Sequence, residues 1–339
     1  MATGVIDYLT GSEASTSIFY ILPVSLASWV ISRRSGIVLS VASAVAWYLA
    51  DLLCSPTYSS PIVPFWNALV MFSFFAGAAL ILSALRASLE REKTQAREIQ
   101  KGFLPKQMPT FAGLDVTSAW LPARVVSGDY YDIIHIHGTL VGFCIADVAG
   151  HGMHAALLMS NFQAAFRLLA STNPTPGALC SRLNEFVTAN SGPESFITFF
   201  YGVLDTSTNS LLYANAGHNN PVLVRANRSS LELSDGGIPL GIVRDFSYEE
   251  GNVQLVPGDL FLMYTDGVIE LRDGSGAMFG MERLRDLLLN CQNAGATGVR
   301  DSIMNAVARF SVRTLEDDVT LLVLSLVDGH QGSGRLPRP

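Results

Sequence analysis

The chain has 339 residues, a formal net charge of −7 and a mean hydropathy of +0.32, with 49% hydrophobic and 15% charged side chains. That length admits about two domains of roughly 100 to 200 residues and excludes a mini-protein, while a charged fraction well below the roughly 25% of soluble globular chains excludes a wholly soluble or disordered one. The acidic balance, with no large basic cluster outside short juxtamembrane stretches, excludes nucleic acid as a partner.

The imbalance is local. Residues 17–88 carry four charged side chains, Arg33, Arg34, Asp51 and Arg86, whereas 89–339 read as an ordinary soluble domain. Three apolar stretches, 16–32, 36–53 and 65–85, approach the roughly 20 residues needed to cross a hydrocarbon core. The first is short and holds Pro23, so a buried or re-entrant segment is its alternative. No positively charged region precedes it, which speaks against a cleavable signal peptide. Arg33 and Arg34 follow the first stretch, and Arg86, Arg91, Lys93 and Arg97 follow the third, while 54–64 has neither Lys nor Arg. This distribution predicts a multi-pass membrane domain of about three helices over 1–87, with an outside amino terminus and everything after residue 86 in the cytoplasm. Asp51 is read as snorkelling to the outer interface.

The third stretch continues without glycine or proline until Gly102 and Pro105, which predicts an uninterrupted helix through a juxtamembrane segment, 88–107. Leu82, Leu89, Ala96 and Phe103 recur every seven residues, and Leu85, Glu92 and Ile99 form a second row, a coiled-coil seam broken at Glu92. A dimerising signal helix, and hence a homodimer, is expected, against a solvated linker as the alternative.

From about 108 to 328 short apolar runs alternate with turn residues: LVGFCIAD, ITFFYGVLD, DLFLMYTD and DVTLLVLSLV read as buried strands. Helical patterns at 153–170 and 176–189 interrupt them, and two more at 281–291 and 297–310 precede the last strand. Strands grouped with helices predict an α+β fold of two packed antiparallel sheets. A flexible tail is expected over 329–339. Cys54, Cys144, Cys180 and Cys291 form no CxxC pair, which suits a reducing compartment and argues against structural zinc. No dinucleotide, P-loop, zincin or hydrolase-elbow motif occurs.

What stands out is a set of aspartates at strand ends. Asp129 opens YYDIIHIH, Asp147 closes LVGFCIAD, Asp266 closes LFLMYTD, and Asp317 and Asp318 open VTLLVLSLV. One such aspartate is ordinarily a turn residue. If the strands are neighbours, though, the carboxylates meet at one sheet end and repel unless a cation is shared. Oxygen ligands without a His or Cys cluster favour magnesium or manganese over zinc, and paired ions of this kind support phosphate-ester hydrolysis.

The motifs SGDYYD, ADVAGHGMHAALLMS, FITFFYGVLD, YANAGHNNP, GIPLG, PGDLFLMYTDG and DDVTLLVL, in this order over about 98–327, resemble the PPM-type metal-dependent serine/threonine phosphatases, in particular their SpoIIE/RsbU branch. The resemblance implies an α-β-β-α sandwich holding two Mn2+ or Mg2+ ions at one end, with metal-activated water as nucleophile. It implies Asp129 as first ligand, Asp147 as the bridging carboxylate, a carbonyl ligand from Val148, and Asp266 and Asp317 completing the second ion's shell. Asp318 and Asp132 are adjacent alternatives, read as supporting. Ser127 stands where the branch usually has glycine. His151 is a candidate general acid and Arg124 a candidate phosphate contact; His218 reads as a buried hydrogen-bonded histidine, His135 and His137 as outward-facing. Gly150 and Gly152 are expected to permit the turn after Asp147. The resemblance further implies a phosphoprotein substrate, an anti-sigma-factor antagonist in a partner-switching pathway, and a bacterial inner-membrane protein in contact with lipid, with the helix ending at Leu104–Pro105 ordering the metal site. A catalytically weak sensor or scaffold, and a nucleotide cyclase, are the competing readings.

Overall fold

The computed structural model describes residues 17–54, 60, 62–172, 175–192, 195–311 and 315–327. The tail expected at 329–339 lies outside them. The chain divides into two compact units, Met1–Gln95 and Ala96–Pro339.

In the first unit the leading apolar stretch is not one regular span. A 3-10 turn (Ser17–Tyr20), helix α1 (Ile21–Leu26) and a π-helical turn (Ala27–Ile31) follow one another. Pro23 withholds an amide from the ladder, Ser28 Oγ donates back to Val24 O at 2.7 Å, and Ser32 is extended at φ −167°, ψ 162°. The Ser32 hydroxyl then accepts from Ser35 N at 3.1 Å, capping the next helix. That helix, α2 (Arg33–Cys54), and α3 (Ile62–Lys101) are the two long and apolar enough to cross a membrane among the described residues. Helix α3 runs 40 residues, with exposed Leu85, Leu89 and Ile99. Phe103, assigned by its spacing to the same seam, lies beyond the helix end and packs instead against the core of the second unit.

The second unit contains, in chain order, β1 (Leu114–Leu121), β2 (Tyr130–His137), β3 (Leu140–Val148), α4 (Met153–Ala170), α5 (Pro176–Asn190), β4 (Ile197–Asp205), β5 (Ser210–Ala216), β6 (Val222–Val224), β7 (Ser230–Glu232), β8 (Gly236–Gly237), β9 (Gly251–Gln254), β10 (Leu260–Tyr264), α6 (Gly280–Cys291), α7 (Gly295–Phe310) and β11 (Val319–Leu326). One sheet has the order β1-β11-β10-β6-β7; the other runs β2-β3-β4-β5-β8, with β9 also paired to β5. The sheets face each other through Phe143 and Phe200, whose rings lie 5.9 and 6.0 Å from that of Phe261. Helices α4 and α5 cover one outer face, where Phe162 and Phe166 pack edge-on against Phe199. Helix α7 covers the other through Val299, Ile303 and Val307, one stripe at helical spacing. The expected α-β-β-α layering is therefore present. All eight residues of β11 are buried, because its sheet is covered on both faces; an uninterrupted apolar run is the sequence trace of that position.

Asp132 on β2 faces α4 and is fully buried. It accepts from Arg167 Nε at 2.7 Å and Nη2 at 3.1 Å, from Tyr130 Oη at 2.5 Å and from its neighbour Ile133 N at 2.9 Å. Removing the guanidinium would leave a buried carboxylate short of its strongest donors. Because Arg167 itself is half-exposed, Arg167→Ala is expected to cost about 2–3 kcal/mol, below the range for fully buried pairs, read as a lowered urea midpoint at unchanged slope.

Candidate metal centre

Strand pairing brings the predicted aspartates together. Tyr130 on β2 is opposite Ala146 on β3, so Asp129 and Asp147 meet one step further on. On the other sheet Tyr264 is opposite Leu321, which places Thr265 beside Thr320, with Asp266 just after β10 and Asp317 and Asp318 just before β11. Two strand starts and two strand ends thus share one end of the sandwich.

Uncharged donors hold the carboxylates. Asp129, 2% exposed, accepts at Oδ2 from Thr265 Oγ1 at 2.9 Å and from Thr320 Oγ1 at 2.5 Å, both from the opposite sheet. Its amide donates to Ser127 Oγ at 3.0 Å. Asp318 accepts from Ala123 N at 2.8 Å and Gly128 N at 3.0 Å, tying the approach to β2 to the start of β11. A Cβ on Gly267 would lie 2.0 Å from Asp318 O, so only glycine lets the Asp266 turn approach so closely. A Cβ on Gly128 would lie 3.0 Å from Val148 O, which places that carbonyl against the Asp129 turn. Gly150 and Gly152, at φ +94° and +77°, turn the chain from Asp147 into α4.

Electrostatics reports the crowding. Burial, then repulsion from Asp266, Asp317 and Asp318, pushes the Asp147 carboxyl up to about 8. Burial, then Asp317 and Glu270, pushes Asp266 up to about 6. Asp129 is raised well above the usual range by burial and by Asp147, and Asp317 is raised by burial. His151 and Arg124, both exposed, lie near enough to Asp317 to act on it in the opposite sense. Asp132 lies elsewhere, on its arginine, and His135 and His137 are exposed on β2.

Among the described residues no three His, Cys, Asp or Glu side chains close on one point as an all-protein cage would require. An ion such as Mg2+, which keeps several waters and takes one or two carboxylates, needs no such cage. Asp129, Asp147, Asp266, Asp317 and the Val148 carbonyl supply the oxygen atoms that this end of the sandwich offers to such an ion. A cavity of about 440 Å3 opens beside Asp317, with Gly267, Glu270 and Glu316 in its wall.

Sequence reasoning did not single out Thr265, Thr320 or Gln100. Gln100, 3% exposed near the end of α3, donates from Nε2 to Ser127 O at 2.7 Å and accepts at Oε1 from Ser127 N at 2.9 Å. The last turn of that helix is thereby joined to the backbone two residues before Asp129.

Residues 137–327 match the family model for stage II sporulation protein E (SpoIIE), and residues 1–99 match a domain of unknown function (DUF4118). The phosphoserine phosphatase RsbU of Bacillus subtilis (strain 168) is 29% identical over 244 residues, 72% of this chain and 72% of its own. The crystal structure of the RsbU and RsbW domains of Rv1364c from Mycobacterium tuberculosis shares 28% identity at a TM-score of 0.58, over 65% of this chain and 61% of that one. The SiaA-PP2C domain of Pseudomonas aeruginosa shares 22% identity at a TM-score of 0.64, over 73% of this chain and 100% of that one.

Two outcomes are expected. A carboxyl whose folded pKa lies above its unfolded value of 3.8 contributes stability below that value and loses it as pH rises through the folded pKa. In chelator, therefore, the melting temperature should fall as pH climbs past about 6 and on to about 8. Mn2+ should recover it, with a larger gain at the alkaline end; a pH-independent melting temperature would contradict the crowding described. Gln100→Ala strands the buried amide and carbonyl of Ser127 and should cost about 1–3 kcal/mol in urea denaturation of the full chain.

Proposed function

Because the chain belongs to the SpoIIE family of PP2C-type protein serine/threonine phosphatases, we propose that it hydrolyses phosphoserine or phosphothreonine on a small anti-sigma-factor antagonist, using two Mn2+ or Mg2+ ions. The observation that carries this reading is the convergence of Asp129, Asp147, Asp266 and Asp317 at one sandwich end. A relative named as a phosphoserine phosphatase, and a structure pairing RsbU and RsbW domains in one chain, support the substrate class and the partner-switching setting. Bound there, the ions would supply Lewis acidity to the phosphate ester and to a nucleophilic water.

The chain's own residues supply the rest. Asp129, fixed by two threonine hydroxyls, and Asp147 present oxygens from one sheet, and Asp266 and Asp317 present them from the other. The Val148 carbonyl borders the same turn. Arg124 offers a cation for the entering phosphate, and His151 a proton for the departing serine oxygen. An anchor through α2 and α3 in the bacterial inner membrane, in contact with lipid and with the catalytic unit cytoplasmic, accords with the two apolar helices, with Arg33 and Arg34 at the start of α2, and with Arg86, Arg91, Lys93 and Arg97 after the apolar part of α3. The exposed Leu85, Leu89 and Ile99 support a homodimer through α3.

The test is hydrolysis of para-nitrophenyl phosphate and a phosphoserine peptide by the detergent-solubilised full chain, with and without Mn2+, beside Asp266→Asn. Activity should require the metal. The substitution should lower kcat/KM at least about a hundredfold, a loss of about 2.7 kcal/mol in transition-state stabilisation, without lowering the melting temperature. Equal activity in the variant would remove Asp266 from the site, and inactivity of both in a folded dimer would favour the scaffold reading.

A further inference from the structure

One motif, NAGH at 215–218, takes no part in the chemistry above. Asn215, 2% exposed, accepts at Oδ1 from His218 N at 2.7 Å and donates from Nδ2 to His218 O at 3.0 Å and Leu233 O at 3.2 Å, closing a tight turn after β5. Gly217 sits at φ +67°, and a Cβ there would lie 2.4 Å from Pro239 Cδ. The turn therefore demands both residues, and its effect is to aim His218 inward, where it is 5% exposed.

The imidazole spans the two sheets at their metal end. Nδ1 is 2.8 Å from Thr198 Oγ1 on β4, and Thr198 is the register partner of Asp147. Nε2 is 3.1 Å from Tyr264 O, at the end of β10 and two residues before Asp266. A carbonyl only accepts, so Nε2 carries the proton; in the neutral ring Nδ1 then accepts, and Thr198 donates to it. Thr198 Oγ1 also lies 3.5 Å from Asp147 O, too far to compete for that proton. Burial holds the ring's pKa down at about 4, so it is neutral across the physiological range.

We propose that His218 is a positioning residue for the metal centre: in its Nε2–H tautomer it pins β4, the strand paired with Asp147, to the end of β10 that carries Asp266. The proposal rests on the metal-dependent reading above. The carboxylates on the two sheets repel, and the Asp129 and Asp318 contacts restrain the sheets at the β2 and β11 side. His218 is the link on the β4 and β10 side. The spacing between Asp147 and Asp266 would thus be set by one neutral ring.

Three variants of the detergent-solubilised full chain test this. His218→Gln keeps an amide donor for Tyr264 O but gives up the ring acceptor, Thr198→Val removes the hydroxyl, and Thr198→Ser keeps it. Mn2+ dissociation constants from titration calorimetry and melting temperatures without metal are the two readouts. His218→Gln and Thr198→Val should each weaken Mn2+ binding about tenfold, their combination should weaken it no further, and Thr198→Ser should retain wild-type affinity. Wild-type Mn2+ affinity in His218→Gln or Thr198→Val, even with a lowered melting temperature, would make the histidine structural only and overturn the proposal. So would a loss in Thr198→Ser as large as in Thr198→Val. A wild-type chain that binds no Mn2+ would instead overturn the metal reading itself.

Discussion

The constraint on which the second unit depends is the confinement of five carboxylates, Asp129, Asp147, Asp266, Asp317 and Asp318, at one end of a sandwich whose middle is hydrocarbon. Like charges in a poorly solvated place push apart, and pushing apart here means separating two sheets. The answer is a set of uncharged ties that cross between the sheets: hydroxyls of Thr265 and Thr320 on Asp129, the amide of Gly128 on Asp318, and the ring of His218. The buried carboxylates that are paired with arginine, Asp132 with Arg167 and Asp259 with Arg225, lie elsewhere. A resident arginine would have neutralised the charge that a cation is needed to meet.

The aromatic centre makes those ties effective. Phe143, Phe200 and Phe261 fix the separation of the sheets in the middle, and Phe162, Phe166 and Phe199 fix α4 on its sheet. With the core rigid, only the polar end is left to adjust. Small hydrogen-bonding side chains are well suited to setting an ångström-scale distance there, whereas long charged ones carry more rotamer freedom.

Much of this was legible in the chain, and the illegible parts share a physical reason. The strand-end aspartates stood out because each closes or opens an apolar run, and the layers followed from runs and helices of the right period. Thr265 and Thr320 did not stand out, since a β-branched residue in a strand is what packing alone would select. Gln100 lies in a polar helical stretch where a solvated side chain is the default, and Phe103 fitted the heptad so well that its core role was hidden. The first apolar stretch read as a span by composition, while its helix passes from 3-10 through α to π geometry and stops at the extended Ser32. Ser127 looked like a mild departure from glycine; its hydroxyl caps the amide of Asp129.

The pairing of Gln100 with Ser127 engages main-chain atoms on the receiving side. Every amino acid except proline offers the same amide and carbonyl, so residue 127 is free to drift without touching the contact. A substitution there calls for no compensating change at 100. This junction between helix and metal turn would therefore leave no covariation signal, and methods that infer couplings from paired substitutions would pass over it.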